Sequence, residues 1–351
     1  MIFLNLNLIY IILKILINKY IHNTMGIKGL TQLVKKNSPE SIEHVGLYKM
    51  KDKRVAIDTS IFLYKSLMNV RSKGDYLRNS ENKVVSHIQG LYYKTNQLLT
   101  LGITPIYIFD GKPPQEKSEC IKARNKKANE CKEKMEKSDN IEEKKSLEKG
   151  TIRIKKEYID DLKHLFSLMG VSYIHAPGEA EAYASELCRQ GFVDSVMTED
   201  MDTLSYGCPL LLRSCIDKSI KRPEVVTTFN FQKIIQDFKL NHDEFIDMCI
   251  LCGCDYCPTI PKVGPVRALK YIQKYKNIEN LIESGEKIEI PEEFKNKYIA
   301  SRGLFKVFEG KIDLENLPIS ESKYDADSIY KYLVNSCNMN MKRVQNSLQK
   351  Y

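Results

Sequence analysis

Short apolar runs alternate with stretches of helical periodicity along most of the chain. The apolar runs are rich in β-branched and aromatic residues, which is typical of buried strands. They cover residues 54–58, 105–110, 171–177, 194–200 and 209–214. Between them, residues 157–170 and 179–191 repeat apolar side chains at helical spacing. This alternation predicts an α/β fold with a mainly parallel, twisted sheet flanked by helices.

Two regions depart from this alternation. Residues 112–157 contain 15 Lys or Arg and 10 Asp or Glu, so they predict charged, solvated helices outside the core. From Asn241 onward the strand pattern disappears, and residues 242–253 and 265–275 predict two helices joined by a turn that contains Gly and Pro. On this basis we divide the chain into segments 1–24, 25–111, 112–157, 158–240, 241–317 and 318–351.

The first 24 residues are apolar but contain Lys14, Lys19 and several Asn residues. Their uninterrupted apolar span is shorter than the roughly 20 residues of a transmembrane helix. They also lack the small-residue cleavage site of a secretory signal. A weak membrane anchor and a second start site are the two interpretations, and we expect the working protein to begin at Met25 or Gly26.

Charge narrows the class of partner only slightly. Lys and Arg number 54 against 45 Asp and Glu, a net charge of +9. This excess favours nucleic acid or an acidic membrane surface, although an ordinary basic protein would share it. The ten cysteines predict reduced thiols in a cytosolic or nuclear protein. Four of them form C-x-x-C-x-C-x-x-C between Cys249 and Cys257, a spacing that favours packing over a zinc or iron–sulfur site.

Acidic residues stand where a parallel sheet binds ligands, at the carboxyl ends of strands. Two of them end the first two predicted strands, and an i, i+2 pair follows a later strand, which in extended geometry points both side chains the same way. Two more open a predicted helix, and the last follows one. The candidates are Asp58, Asp110, Glu179, Glu181, Asp200, Asp202 and Asp255.

Such a group of carboxylates in one cleft would repel itself unless cations neutralised it. Oxygen ligands favour a hard ion such as Mg²⁺ or Mn²⁺, and paired ions can promote phosphodiester hydrolysis. Taken singly, each acid is explained better as a helix cap or turn residue, so spacing alone leaves both interpretations open. The sequence contains no P-loop, G-x-G-x-x-G or H-E-x-x-H motif.

Six motifs surround these acids. They are M-G-I-K-G-L (25–30), D-T-S (58–60), F-D-G-K-P-P (109–114), E-A-E-A (179–182), T-E-D-M-D (198–202) and G-C-D-Y-C (253–257). In this order and with these gaps, from Met25 to about residue 345, the chain resembles the flap endonucleases, a family of structure-specific 5′ nucleases. The short interval between Asp110 and Glu179 lacks the long insertion of the excision-repair branch of that superfamily.

The resemblance implies roles for the residues at matching positions. All seven acids would bind two Mg²⁺ ions per subunit, with Mn²⁺ as a substitute. Lys117 and Arg124 match a catalytic basic pair on a mobile helical arch that reaches the scissile phosphate. Their spacing of seven places both on one helix face. Tyr64 matches an aromatic residue on which a nucleotide near the cut stacks.

The resemblance also implies a DNA-binding surface. Its residues are Gly26, Tyr64, Arg71, Lys94, Lys117, Arg124, Glu179, Gly253, Asp255, Lys262 and Gly264. Residues 255–274 resemble a helix–two-turn–helix, in which backbone N–H groups and a monovalent cation bind duplex phosphates. Two positions depart from the family: Lys94 stands where arginine is common, and Lys262 replaces the first glycine of the hairpin.

The resemblance therefore implies cleavage of branched DNA at 5′ flaps, in Okazaki-fragment processing and long-patch base-excision repair, by a nuclear monomer with some 5′–3′ exonuclease activity. Two alternatives stay open: an exonuclease of the same superfamily, and a non-catalytic junction-binding protein. A complete acid set argues against the second. Gln345, Leu348 and Tyr351 form only a partial sliding-clamp motif, which is best explained as a chance match on a helix face. Tight clamp binding and a membrane partner are not expected.

Overall fold

A computed structural model describes residues 26–72, 75–220, 222, 224–320 and 322–349 of the chain. The expectations about the extension and start site (1–25), and the Tyr351 position of the partial clamp motif, lie outside the described residues. Across the part that is described, no helix combines the length and apolarity needed to cross a membrane.

A seven-stranded sheet forms the centre of the protein, in the order β1-β9-β8-β7-β2-β5-β6. The described residues form nine strands, of which all but β3 and β4 belong to this sheet. They are β1 (Ile42–Gly46), β2 (Arg54–Asp58), β3 (Arg71–Ser72), β4 (Asp75–Tyr76), β5 (Thr104–Phe109), β6 (Tyr173–His175), β7 (Ser195–Met197), β8 (Leu210–Ser214) and β9 (Val225–Asn230). The five strands predicted from apolar runs are β2, β5, β6, β7 and β8, and neighbours among them pair in parallel. The predicted mainly parallel α/β fold is thus confirmed.

The sheet has an antiparallel edge that the sequence pattern did not predict. Strand β9 pairs antiparallel with β8, and β1 pairs antiparallel with β9. In β9, Thr227 and Thr228 are polar but buried. These threonines interrupt the apolar run, although they are β-branched and suit a strand. Strands β3 and β4 form a separate small hairpin.

Helices cover both faces of the sheet and form the C-terminal region. They are α1 (Leu30–Asn37), α2 (Thr59–Asn69), α3 (Ser86–Thr100), α4 (Ser118–Lys137), α5 (Ile141–Gly150), α6 (Lys156–Leu168), α7 (Ala180–Arg189), α8 (Asp202–Ser205), α9 (Phe231–Phe238), α10 (His242–Cys252), α11 (Pro265–Tyr275), α12 (Ile278–Glu283), α13 (Glu292–Phe305), α14 (Ala326–Tyr330) and α15 (Met341–Leu348). Helices α6, α7, α10 and α11 begin and end within two residues of their predicted bounds. Helices α4 and α5 form the charged segment 112–157, which we call the arch.

The C-terminal helices share a core with the sheet. Phe245 of α10 and Phe294 of α13 are fully buried in the same cluster as Leu211 of β8 and Phe229 of β9. The cysteines of the 249–257 motif belong to this cluster or pack against it, as expected for packing residues. Because this core crosses residue 241, the segment boundaries drawn from the sequence stay predictions.

Candidate metal centre

Three adjacent strands bring acidic residues to one edge of the sheet. Strands β7, β2 and β5 are neighbours. Asp58 ends β2, Asp110 directly follows β5, and Asp200 lies just beyond β7. Asp58 is 1% exposed and Asp200 8% exposed, whereas Asp110 is open to solvent. Parallel strands present their carboxyl ends together, so acids far apart in sequence share one crevice.

Two short helices add the next acids to this edge. Glu179 is the N-cap of α7, and Glu181 lies in its first turn. The N–H of Ala180 donates to Asp110 Oδ1 at 2.9 Å, which ties the start of α7 to the end of β5. Asp202 begins α8, and its own N–H donates to Asp200 Oδ1 at 3.0 Å. Helix N-termini favour negative charge, which suits carboxylates here.

The segment around Gly26 closes against this edge. The N–H of Ile27 donates to Asp202 Oδ1 at 2.5 Å. Gly26 has a φ of +73°, and a Cβ at this position would overlap Asp200 Oδ1. Glycine is therefore required both by the backbone conformation and by the approach of the carboxylate.

The arch places two cations against the acids. Lys117 Nζ donates to Glu179 Oε1 and lies 3.6 Å from Asp255 Oδ2. Arg124 Nη2 donates to Asp255 Oδ2 at 2.7 Å. Between them, the Cys120 thiol donates to Asp255 Oδ1 at 3.3 Å. The predicted shared face of Lys117 and Arg124 therefore points at the acid cluster.

Burial and repulsion by neighbouring acids raise the pKa of the most buried carboxyls of the cluster. Burial, followed by the charge of Asp110, raises the pKa of Asp58 to about 7. Burial and then the charges of Asp58 and Asp110 raise the pKa of Glu181 well above its usual value. Asp202 is affected in the same direction, first by burial and then by Asp200. A site that raises the pKa of several carboxyls favours added positive charge.

The donor set fits divalent cations. It consists of carboxylate oxygens, which hard ions prefer, and the Lys117 ammonium already takes the place of a cation beside Glu179. Burial would lower the pKa of this ammonium, but Glu181, Glu179 and Asp255 outweigh burial and raise it. Among the described residues, no three His, Cys, Asp or Glu side chains are already grouped to hold a metal. Six of the seven predicted acids accept hydrogen bonds from protein donors: Asp58, Asp110, Glu179, Asp200, Asp202 and Asp255.

The sequence interpretation missed several residues that organise these acids. Ser60 donates to Asp110, and Thr198 Oγ1 donates to Asp58 Oδ2 at 2.9 Å. The hydroxyls of Tyr206 and Tyr256 both donate to Glu179 Oε2. Burial and then the neighbouring Tyr256 raise the pKa of the Tyr206 phenol well above its usual value. Burial and then Glu179 raise the pKa of the Tyr256 phenol in the same way, so both phenols remain donors. Ser60, Thr198 and Tyr256 lie inside the motifs, but nothing in the sequence pattern marks Tyr206.

Glu199, the residue before Asp200, joins a partly buried group of charged side chains. Glu199 accepts from Lys65 Nζ at 2.5 Å, and its other oxygen lies 3.7 Å from Arg213 Nε. Arg213 is 1% exposed and donates to Thr31 Oγ1 at 3.0 Å. Burial raises the pKa of Glu199, but Lys65 and Arg213 more than offset it and lower the pKa to about 2.

Three predicted DNA-binding residues lie apart from the acids. Tyr64 on α2 donates its hydroxyl to the carbonyl of Lys149 at 3.3 Å, beneath the end of the arch. Arg71 Nη1 pairs with Glu148 Oε2 at 2.7 Å. Lys94 on α3 lies 5.9 Å from the ring centroid of Phe62, and burial, then Lys65, lowers its pKa to about 8.

The predicted hairpin lies between α10 and α11. Lys262 has a φ of +63°, the left-handed conformation that glycine adopts most readily. Its side chain is exposed, and its carbonyl accepts from Arg267 Nη1 at 2.8 Å. Gly264 caps α11, and a Cβ there would meet no atom within 4 Å. Gly253 is buried, and its carbonyl accepts from the N–H of Lys28 at 3.1 Å.

Comparison with known proteins agrees with this architecture. Residues 25–131 match the XPG N-terminal domain and residues 170–255 match the XPG I-region. The chain is 38% identical over 332 residues to Flap endonuclease 1 of Glycine max, covering 93% of this chain and 86% of that protein. The solved flap endonuclease-1 from Methanococcus jannaschii aligns with a TM-score of 0.65 and 27% identity, over 88% of this chain and 94% of that one. The catalytic core of Rad2 in complex with DNA substrate has the same fold, with a TM-score of 0.70 and 22% identity over 92% and 99% of the two chains.

The fold, the strand-end acids and these matches define the XPG class of nucleases. Within that class, the chain belongs to the flap endonuclease family of structure-specific 5′ nucleases. The resemblance stated from the six motifs is thereby confirmed.

Proposed function

We propose that the protein hydrolyses a phosphodiester at the single-strand/duplex junction of 5′-flap DNA, with two divalent ions held by the acid cluster. One observation carries this proposal. Acids from β2, β5, β7, α7 and α8 meet at one sheet edge, and Lys117 and Arg124 of the arch face them. A phosphate between the arch and the acids would contact both.

The positions of the residues suggest separate roles in metal binding and in phosphate binding. Asp58, Asp110, Glu179, Glu181, Asp200, Asp202 and Asp255 would hold the ions, Mg²⁺ in the first place and Mn²⁺ as a substitute. The bound ions would supply Lewis-acid stabilisation of the charge that develops on the scissile phosphate. Lys117 and Arg124, once released from the acids, would donate to the phosphate oxygens at the same moment.

The DNA would be held on both sides of the cut. The arch would clamp or thread the single strand. Tyr64, which contacts the end of the arch, would stack a nucleotide near the cut. Backbone N–H groups of the hairpin at Lys262 and Gly264, with a monovalent cation, would bind duplex phosphates. Such contacts depend on backbone shape and not on base sequence, as a structure-specific enzyme requires. Arg71 and Lys94 would add phosphate contacts.

The family resemblance supports a role in Okazaki-fragment processing and long-patch base-excision repair, as a nuclear monomer with some 5′–3′ exonuclease activity. A sliding clamp is a weaker candidate partner. Leu348 packs against the core next to α3, and Ser347 accepts from Asn96 Nδ2 at 2.8 Å. Helix α15 would have to leave this contact before Leu348 could bind a partner.

The test is cleavage of a 5′-labelled double-flap DNA by the chain with Mg²⁺, beside an Asp200→Ala variant. One short product near the junction, lost in the variant, supports the proposal. A ladder from the 5′ end would instead indicate an exonuclease. Uncut DNA that still binds would indicate a junction-binding protein.

A further inference from the structure

Two phenol hydroxyls converge on one oxygen of Glu179. Tyr206 donates to Glu179 Oε2 at 3.1 Å, and Tyr256 donates to the same atom. The two hydroxyl oxygens are themselves 2.5 Å apart, so the single proton of Tyr206 is shared between Glu179 Oε2 and the Tyr256 hydroxyl. The other carboxylate oxygen, Oε1, accepts from Lys117. One oxygen of this carboxylate therefore contacts two phenols, and the other contacts the lysine of the arch.

The two phenols come from different elements and pack against the same phenylalanine. Tyr206 follows α8, and Tyr256 lies in the loop after α10. Both tyrosines are buried: Tyr206 is 5% exposed and Tyr256 is 3% exposed. The ring of Phe305, at the end of α13, lies 5.4 Å from each tyrosine ring, measured between centroids. Both hydroxyls are thus fixed by packing before any ligand binds.

We propose that Tyr206 and Tyr256 are positioning residues that fix Glu179, by engaging Oε2 and leaving Oε1 as its metal-facing atom. This inference rests on the proposed role of Glu179 as a metal ligand. Without the phenols, the carboxylate could rotate about its terminal torsion, which is broad. Groups that hydrogen-bond a metal ligand orient it, and their loss typically lowers metal affinity about 10–100-fold.

The arrangement also couples Glu179 to Asp255. Tyr256 is the next residue after Asp255, so the loop that places one acid also supplies a donor to the other. Tyr206 directly follows α8, whose first residue is Asp202. The two phenols therefore link three of the proposed ligands through short stretches of backbone.

The test measures Mn²⁺ binding to the full chain without DNA, by the electron paramagnetic resonance signal of free Mn²⁺. Tyr206→Phe and Tyr256→Phe remove one hydroxyl each and keep the packed ring. We expect each to weaken Mn²⁺ binding about 10-fold and the double variant more. Excess Mn²⁺ should restore cleavage, because the defect is in ligand orientation. Tyr183→Phe is the matched control, since Tyr183 is a buried tyrosine of α7 whose ring packs edge-on against Phe308.

A further variant separates this inference from the proposed function. If Glu179→Gln weakens Mn²⁺ binding but neither phenylalanine variant does, the positioning role is wrong and the metal role stands. If Glu179→Gln leaves Mn²⁺ binding unchanged, the metal role of Glu179 fails and the inference fails with it. Circular dichroism of each variant in chelator checks folding, and the single variants decide the matter if the double variant unfolds.

Discussion

Arg124 of the arch holds its guanidinium Nη2 2.7 Å from Asp255 Oδ2, an acid that lies beyond the sheet and 131 residues further along the chain. Lys117, which precedes Arg124 by seven residues, contacts Glu179. Its Nζ lies 3.6 Å from the same Asp255 oxygen. These ion pairs occupy carboxylate oxygens that the proposed metals would need. Metal binding should therefore compete with the contacts of Lys117 and Arg124 to the acids.

Lys117→Ala should separate these two effects. Loss of the competing ammonium should tighten Mn²⁺ binding without DNA by about tenfold, the equivalent of roughly 1.4 kcal/mol. At saturating metal, cleavage should nevertheless slow by about 10²–10³-fold, because the phosphate loses a charged donor. Mn²⁺ titration and single-turnover cleavage measure the two effects. Lys122→Ala, at an exposed position of α4, is the control. Equal Mn²⁺ affinity in both variants would contradict the competition.

The stability of the metal-free chain should fall as pH rises from about 4 to about 7. Burial, followed by Asp110, raises the pKa of Asp58 in the folded state from 3.8 to about 7. The folded state then binds more protons than the unfolded state, so the stabilisation is present below the unfolded pKa and is lost as pH rises through the folded pKa. Glu181 and Asp202 are shifted in the same direction.

Urea unfolding in chelator at pH 5 and pH 7.5 measures this dependence, and added Mg²⁺ should flatten it. Asp58→Asn should reduce the slope, because the side chain can no longer ionise. A chain equally stable in chelator at both pH values would contradict the raised pKa values of the buried acids.

Glu199→Gln should destabilise the protein by about 3 kcal/mol, because it leaves the buried Arg213 guanidinium without its acidic partner. Arg213 is 1% exposed and has Glu199 as its acidic partner. The free energy of unfolding, measured in chelator, reports the loss. Glu283→Gln changes an exposed glutamate and should have little effect. Equal stability of the two variants would mean that Arg213 is satisfied by other groups.

Lys262→Gly tests the departure in the hairpin. A non-glycine residue in the left-handed conformation is strained by about 1–2 kcal/mol, so the variant should be more stable. It should also lose one phosphate contact, which lowers the dependence of log affinity on log salt by about 1. Unfolding and salt titrations of flap binding measure both changes. An unaltered salt dependence would exclude the Lys262 side chain from the DNA contact.

Lys94→Arg tests the second departure. Burial and then Lys65 lower the pKa of Lys94 to about 8, so its charge is lost as pH rises through that value. DNA binding by the natural chain should therefore weaken between pH 7 and pH 9, while the arginine stays charged and binds at both. Fluorescence anisotropy with a flap DNA in Ca²⁺ measures affinity. If both proteins show the same pH profile, Lys94 does not contribute charge to binding.

The local pattern of the sequence was sufficient for five strands of the central sheet and for helices α6, α7, α10 and α11. β2, β5 and β8 are dense in apolar residues, and periodicity identifies such segments because each depends on its own side chains. The antiparallel β1 and β9 were missed, since β9 contains buried threonines. The acids at the ends of β2 and β5 were also readable, because a strand that stops at an aspartate is a local feature.

Which acids meet, and what holds them, was decided only by the tertiary structure. The order β7-β2-β5 places Asp200, Asp58 and Asp110 side by side, and no local pattern specifies which strands become neighbours. The contact of the arch with Asp255 and the two phenols on Glu179 join residues far apart in sequence. The sequence by itself determined the elements and the chemistry available at their ends. The pairing of those ends depends on long-range packing, because burial of the shared core, and not local propensity, selects one arrangement of the elements.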